Sequence, residues 1–189
     1  MNRKNFLKIT ALGLPFIPKV FAQERKNMND DVLILYYSWS GNTRHIANAI
    51  QKYSAATLVE IKEEKPYSRD YNTVVQVAKS EVNSEFKPPL KTKLGNLEKY
   101  KLIIVGSPNW WGTIASPIRT ILSSYDFSGK TIATFITHEG SHMGNSIKDI
   151  NKICNASKVL DGLAIRGGSV KRADKDVEKW LNQIGVKKA

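Results

Sequence analysis

Acidic residues and cysteine are what this chain lacks. Against 29 lysines and arginines stand 17 aspartates and glutamates, for a net charge of +12 with histidine neutral. Four of the bases, Arg3, Lys4, Lys8 and Lys19, lie in the first 22 residues, which hold no acid, so the remainder stands at +8. The single cysteine, Cys154, cannot form an internal disulfide, and without a Cys-x-x-Cys pair neither a zinc ribbon nor thiol exchange is expected. No apolar run reaches the roughly 18 residues that a membrane-spanning helix needs. Twelve glycines and seven prolines in 189 residues are too few for a collagen-like or linker-like chain. What is present, 41% hydrophobic and 24% charged residues, suits one domain with a full core.

The first 22 residues read as an address. Met1 to Lys8 is a basic start, Ile9 to Pro18 a short apolar stretch, and Val20-Phe21-Ala22 a peptidase-type end, so cleavage after Ala22 is expected. Pro15 and Pro18 speak against a first helix of the fold. Arg3-Lys4-Asn5-Phe6-Leu7-Lys8 resembles a twin-arginine export signal, with Lys4 in place of the second arginine. The expected organisation is an export signal over 1–22, a linker over 23–30 and one domain over 31–189. The protein is expected in the periplasm, or in the cytoplasm if the segment is not cleaved.

From Asp31 onward apolar runs alternate with helical patterns, the signature of a parallel sheet covered on both faces. Strands are predicted at Val32–Tyr37, Thr57–Ile61, Leu102–Val105, Thr131–Thr137 and Val159–Ile165. Helices are predicted at Thr43–Tyr53, Tyr71–Phe86, Ser116–Ser124, Asn145–Asn155 and Asp174–Ile184, the last with Asp174 as its N-cap. The fold class is therefore α/β, a doubly wound three-layer sandwich with a five-stranded parallel sheet. Ligands of such folds sit at the carboxyl ends of the strands, which directs attention to three loops: Ser38–Thr43, Ser107–Thr113 and His138–Gly144.

Ser38-Trp39-Ser40-Gly41-Asn42-Thr43 packs three hydroxyls and a glycine into a strand-to-helix turn, where free N–H groups and the helix dipole favour an anion such as a phosphate monoester. Neither GxxxxGK[ST] nor GxGxxG occurs, which excludes a nucleoside-triphosphate loop and the dinucleotide fingerprint. In the second loop, Pro108-Asn109-Trp110-Trp111-Gly112, two adjacent indoles at a strand end need a flat partner or a packing surface. The third loop contains His138-Glu139-x-x-His142, formally a zinc-protease motif, but it begins at a strand end, includes Gly140 and lacks a third ligand. A Cys-x5-Arg phosphatase loop is excluded because position 160 is leucine, so Cys154 reads as a core residue.

The first loop resembles the [ST]-x-[ST]-G-x-T phosphate loop of flavodoxins, and the resemblance runs from about Asp31 to Gly185, strongest to bacterial flavodoxin-like proteins with a Pro-Asn-Trp-Trp loop. It implies strand order 2-1-3-4-5 and a noncovalent FMN. Ser38, Trp39, Ser40, Gly41, Asn42 and Thr43 would take the phosphate. Pro108, Asn109, Trp110, Trp111 and Gly112, with Thr137, His138, Glu139, Gly140 and Gly144, would hold the ring. One tryptophan would stack, and Gly112 would let a peptide reorient beside the flavin. The tyrosine common over the outer flavin face is missing from the third loop, where His138 or Met143 would have to replace it.

The function implied is an FMN electron carrier; the alternative is an FMN-dependent NAD(P)H or quinone oxidoreductase. The basic domain points to acidic redox partners. Nucleic acid is not expected, since Lys171-Arg172 and Lys187-Lys188 are short, scattered groups without a reading motif.

Overall fold

The computed structural model describes residues 29–189. The expected export signal and all of the linker except Asn29 and Asp30 lie outside the described residues. Asn29 packs with the domain: its side-chain amide donates to Ser54 O at 2.7 Å and to Lys187 O at 2.8 Å.

The strands are β1 (Val32–Tyr36), β2 (Thr57–Glu60), β3 (Leu102–Trp110), β4 (Thr113–Ile114), β5 (Thr131–His138), β6 (Lys158–Val159) and β7 (Leu163–Arg166). The helices are α1 (Asn42–Ser54), α2 (Tyr71–Asn83), α3 (Ser116–Ser124), α4 (Ser146–Ile153) and α5 (Asp174–Gln183), with a 3-10 turn over Gly167–Arg172. The sheet runs β2-β1-β3-β5-β6, and β7 also pairs with β5, so the path is the expected 2-1-3-4-5 with its last position shared by two short strands.

Alternation along β1 divides the core. Leu33, Leu35 and Tyr37 join the layer under α2, α3 and α4, whereas Val32, Ile34 and Tyr36 join that under α1 and α5. Both layers are apolar because both faces of a parallel sheet are covered, which is why β1 is buried at every position.

The structure corrects the strand count. The expected fifth strand, Val159–Ile165, is split: Ile132 pairs with Val159 but Phe135 with Leu163, so one extra residue bulges out of the edge strand. Gly162 sits in that bulge, where a Cβ would lie 2.7 Å from Thr134 O. The additional strand β4 returns antiparallel on the end of β3, pairing Trp110 with Thr113 and Asn109 with Ile114. It was illegible as a strand because two residues carry no periodicity. Asp174 is also not the N-cap of α5; Ala173 holds that place and Asp174 opens the first turn, where its charge still favours the helix dipole.

Candidate functional site

The carboxyl ends of β1, β3 and β5 and the N-terminal half of α2 enclose an open cleft of about 810 Å³. Trp39, Ser40 and Asn42 from the first loop line it, with Pro108, Asn109, Trp110, Trp111 and Gly112 from the second. From the third come Thr137, His138, Glu139 and Gly140. Three segments some 30 to 70 residues apart in the chain therefore converge as the topology requires. Ser38, Gly41, Thr43 and Gly144 do not line the cleft; they hold its walls.

The first loop is braced from within. Gly41 has φ +97° and begins α1, a conformation that favours glycine. Ser38 Oγ accepts hydrogen bonds from Gly41 N at 3.2 Å and Arg44 N at 3.1 Å. Thr43 Oγ1 lies 2.8 Å from Thr137 Oγ1, both hydroxyls buried, which ties the helix start to β5. Ser38 and Thr43 thus shape the turn. The Ser40 residue is exposed, and the Thr43 N–H has no hydrogen-bond partner among the described residues. Arg44 turns away from the loop into an ion pair with Glu60.

The two indoles of the second loop separate completely. Trp110 is buried, edge-on to Tyr37 and Tyr67 with ring centroids 5.7 Å and 5.0 Å away. Trp111, at φ +51°, is 50% exposed; its Nε1 donates to Val75 O at 2.9 Å and Lys79 Nζ lies 4.8 Å above its ring. Trp110 is thus chiefly a core residue touching the cleft floor, and Trp111 stands at its rim. On another side Trp39 is anchored by Nε1 to Ser68 O at 2.8 Å and tilts against Tyr71, centroids 6.2 Å apart.

The second and third loops are clamped together. Asn109 Oδ1 accepts from Gly112 N at 2.9 Å, and its Nδ2 donates to His142 O at 2.9 Å. Asn145 N donates to Gly112 O at 2.7 Å, and Gly144 packs so closely on that carbonyl that a Cβ there would collide with it. Both peptide groups of Gly112 are held, so the free reorientation expected of this glycine instead requires breaking these bonds. Below the hairpin, the nearly buried Arg119 pairs with Asp149 at 3.3 Å, and Asp149 also accepts the Thr113 hydroxyl.

His138 is buried at the end of β5, and its Nδ1 accepts from Gly140 N at 3.0 Å, leaving the proton of the neutral ring on Nε2. Its pKa is lowered, first by burial and then by the charges of His142 and Arg166, with Glu139 opposing. The His138 and His142 rings are 4.7 Å apart, but His142 sits in the loop at φ +51° rather than on a helix shared with His138. Met143 is partly buried against the core and beside Gly162, and does not line the cleft. Cys154 is buried too, its thiol pushed up to about 11 by desolvation.

Two features escaped the sequence. Tyr71, Val74, Val75 and Ala78 of α2 line the cleft; their i, i+3, i+4, i+7 spacing was legible, but not that α2 would reach over the strand ends. The Glu139 carboxylate lies beside Asn42 and Gly167, so close that a Cβ on Gly167 would strike it. That places negative charge next to an anion loop, the reverse of what a phosphate ligand favours.

The remaining donors fit a phosphate ester bearing a flat ring. Ser40 and Asn42 line one end, with the unpartnered Thr43 N–H next to them in the chain, and aromatic faces from Trp39, Tyr71 and Trp111 border a cleft open to solvent.

A sequence model of the flavodoxin family matches residues 31–184. No significant match is found among curated proteins. A designated flavoprotein from Bacteroides eggerthii is similar at 27% identity and TM-score 0.73, over 84% of this chain and 100% of its own. A flavoprotein from Lactobacillus acidophilus, solved in complex with FMN, is 28% identical with TM-score 0.63, over 80% of this chain and 98% of its own. A Fusobacterium nucleatum flavodoxin bound to flavin mononucleotide shares the fold at 13% identity and TM-score 0.52, over 81% and 95%. Topology, loop placement and the match across nearly the whole described domain make this chain a member of the flavodoxin family.

Proposed function

We propose that the chain binds FMN noncovalently and carries electrons between proteins. The observation that carries this reading is the open cleft with the phosphate-type loop at one end and the half-exposed Trp111 at its rim. The FMN complex of the Lactobacillus relative supports it. Bound there, FMN supplies electron-transfer chemistry that no side chain of the cleft possesses.

The chain's own groups then have distinct tasks. The Thr43 N–H, Ser40 and Asn42 hold the phosphate at the positive end of α1. Trp39 and Trp111 offer ring faces, while Pro108 to Gly112 and Thr137 to Gly140 flank the ring. His138 remains neutral near pH 7 and presents a donor nitrogen rather than a second cation. Lys79, above the Trp111 ring at the rim, and the basic balance of the domain favour an acidic docking partner, whose association would slow as salt rises. The N-terminal address supports export to the periplasm.

A second reading, an NAD(P)H or quinone oxidoreductase, is favoured by one feature: the third loop presents Gly140 and Ser141 to the cleft and no aromatic lid, leaving room for a planar substrate. An anaerobic visible spectrum of FMN-loaded protein separates the two. A flavin band that persists with NADPH and bleaches only with dithionite supports the carrier. Bleaching within seconds of NADPH addition supports the oxidoreductase, and failure to take up FMN overturns both.

A further inference from the structure

On the other side of Trp39 a separate pocket of about 300 Å³ opens at the carboxyl ends of β1 and β2. Trp39 and Tyr67 contribute aromatic walls, and Arg44, Lys62, Arg69 and Lys91 bring four positive charges to it. Two carboxylates, Glu60 and Glu63, also line it; only Glu60 is ion-paired, which leaves the pocket a net positive charge. Glu60 takes Arg44 and, at 2.8 Å, Lys62; burial opposes its ionisation, but these hydrogen bonds outweigh burial and hold its carboxyl below the usual range. Glu63 accepts the Tyr67 N–H at 3.4 Å and faces the Tyr37 hydroxyl. Arg69 and Lys91 have no ion-pair partner among the described residues.

The backbone sets these cations in place. Glu63 bridges Leu90 in an antiparallel pairing, and Lys91 N donates to Lys62 O at 2.8 Å. Thr92 locks the ladder: its Oγ1 accepts from Lys62 N at 2.8 Å and donates to Glu60 O at 3.2 Å. Lys62 and Lys91 therefore stand opposite each other and line one concavity. Lys62 is already paired with Glu60, so Lys91 and Arg69 are the cations of the pocket left to meet an anion.

We infer that this pocket binds a phosphate dianion, free or carried as a monoester by a nucleotide, independently of the flavin cleft. Guanidinium and ammonium groups suit a doubly charged phosphate. Trp39 and Tyr67 offer a stacking surface that only a nucleotide can use. Because Trp39 borders both pockets, its indole N–H reports on occupancy.

The test is an NMR titration of the 15N-labelled chain, saturated with FMN so that the first loop is filled, with inorganic phosphate and separately with adenosine 2′-monophosphate. Saturable shifts of the Trp39 indole and the Lys62 to Tyr67 amides are expected. In Arg69→Gln and Lys91→Gln variants, with unchanged unfolding midpoints and FMN affinity, binding weakens by about tenfold or more per side chain. Equal affinity for both probes assigns free phosphate, and tighter nucleotide binding assigns the ester. Shifts that chloride reproduces at equal ionic strength, or that persist in the double variant, overturn the proposal. If FMN does not load, the carrier reading fails at that step. The comparison of wild type with the double variant in the flavin-free chain still decides this one.

Discussion

The proposed phosphate end of the cleft and its proposed ring end are held by different means. The first loop is tied into the sheet: Ser38 takes two backbone N–H groups, and Thr43 joins Thr137 on β5 through buried hydroxyls. The second and third loops are tied to each other through Asn109, Gly112 and Gly144, and to α2 through the Trp111 indole. The lesson is mechanical. In the proposed site a charge would be positioned by groups that share the rigidity of the strands. A ring edge is bordered by loops whose mutual grip can be released without unfolding the sheet.

Replacing each tryptophan of the hairpin gives the largest contrast. Trp110→Ala empties an aromatic cluster and is expected to cost about 3–5 kcal/mol in urea unfolding. Trp111→Ala, at a half-exposed site, should cost about 1 kcal/mol or less in stability while weakening FMN binding in a fluorescence titration. Equal stability losses would break the division between floor and rim.

Asn109→Ala releases the two side-chain bonds of the loop clamp and leaves the Asn145 N–H on Gly112 O. FMN affinity should fall about tenfold, and amide hydrogen exchange should rise over 139–144 but not over 38–43. If both loops loosen together, the two ends are not independent.

At the phosphate end, Thr43→Val strands the Thr137 hydroxyl and should lower stability by about 1–2 kcal/mol. The Thr43→Val/Thr137→Val double variant should recover much of that loss, since neither partner is then left unpaired.

Glu139→Gln removes the carboxylate beside Asn42. FMN should bind a few-fold more tightly at low salt, and the gain should shrink as ionic strength rises.

The smallest effect concerns pH. His138 has its pKa lowered in the folded state below 6.5, chiefly by burial. Its contribution to stability is present above that unfolded value and is lost as pH falls through the folded value, because the unfolded chain takes up the proton first. Thermal unfolding of wild type should therefore fall with acidification more than that of His138→Gln, and identical profiles would remove His138 as a pH-sensitive group.

Much of this was legible in particular residues. Val32 to Tyr37 reads as a buried parallel strand because both of its faces need apolar side chains, and Val32–Tyr36 is one, with Tyr37 buried just beyond its end. Gly41 after two serines reads as a turn into a helix because few residues tolerate its φ of +97°. Trp110 and Trp111 have identical chemistry and adjacent places, so no pattern says which is buried. Tyr67, 43 residues before Trp110, supplies the surface that takes it in. The bulge at Gly162 likewise depends on a register with β5 that local propensity does not encode.

The order of the sheet was implied by the family resemblance, and the sequence by itself determined the alternation of strand and helix and the hydroxyl-rich strand-to-helix turn of the first loop. The last two follow from periodicity and from backbone rules acting over a few residues. Only the tertiary structure decided which hydroxyls brace the loop, which indole stands at the rim, that α2 walls the cleft, and that Lys62 and Lys91 face each other across a ladder. Each depends on side chains from distant segments meeting, and packing, not propensity, selects among those meetings.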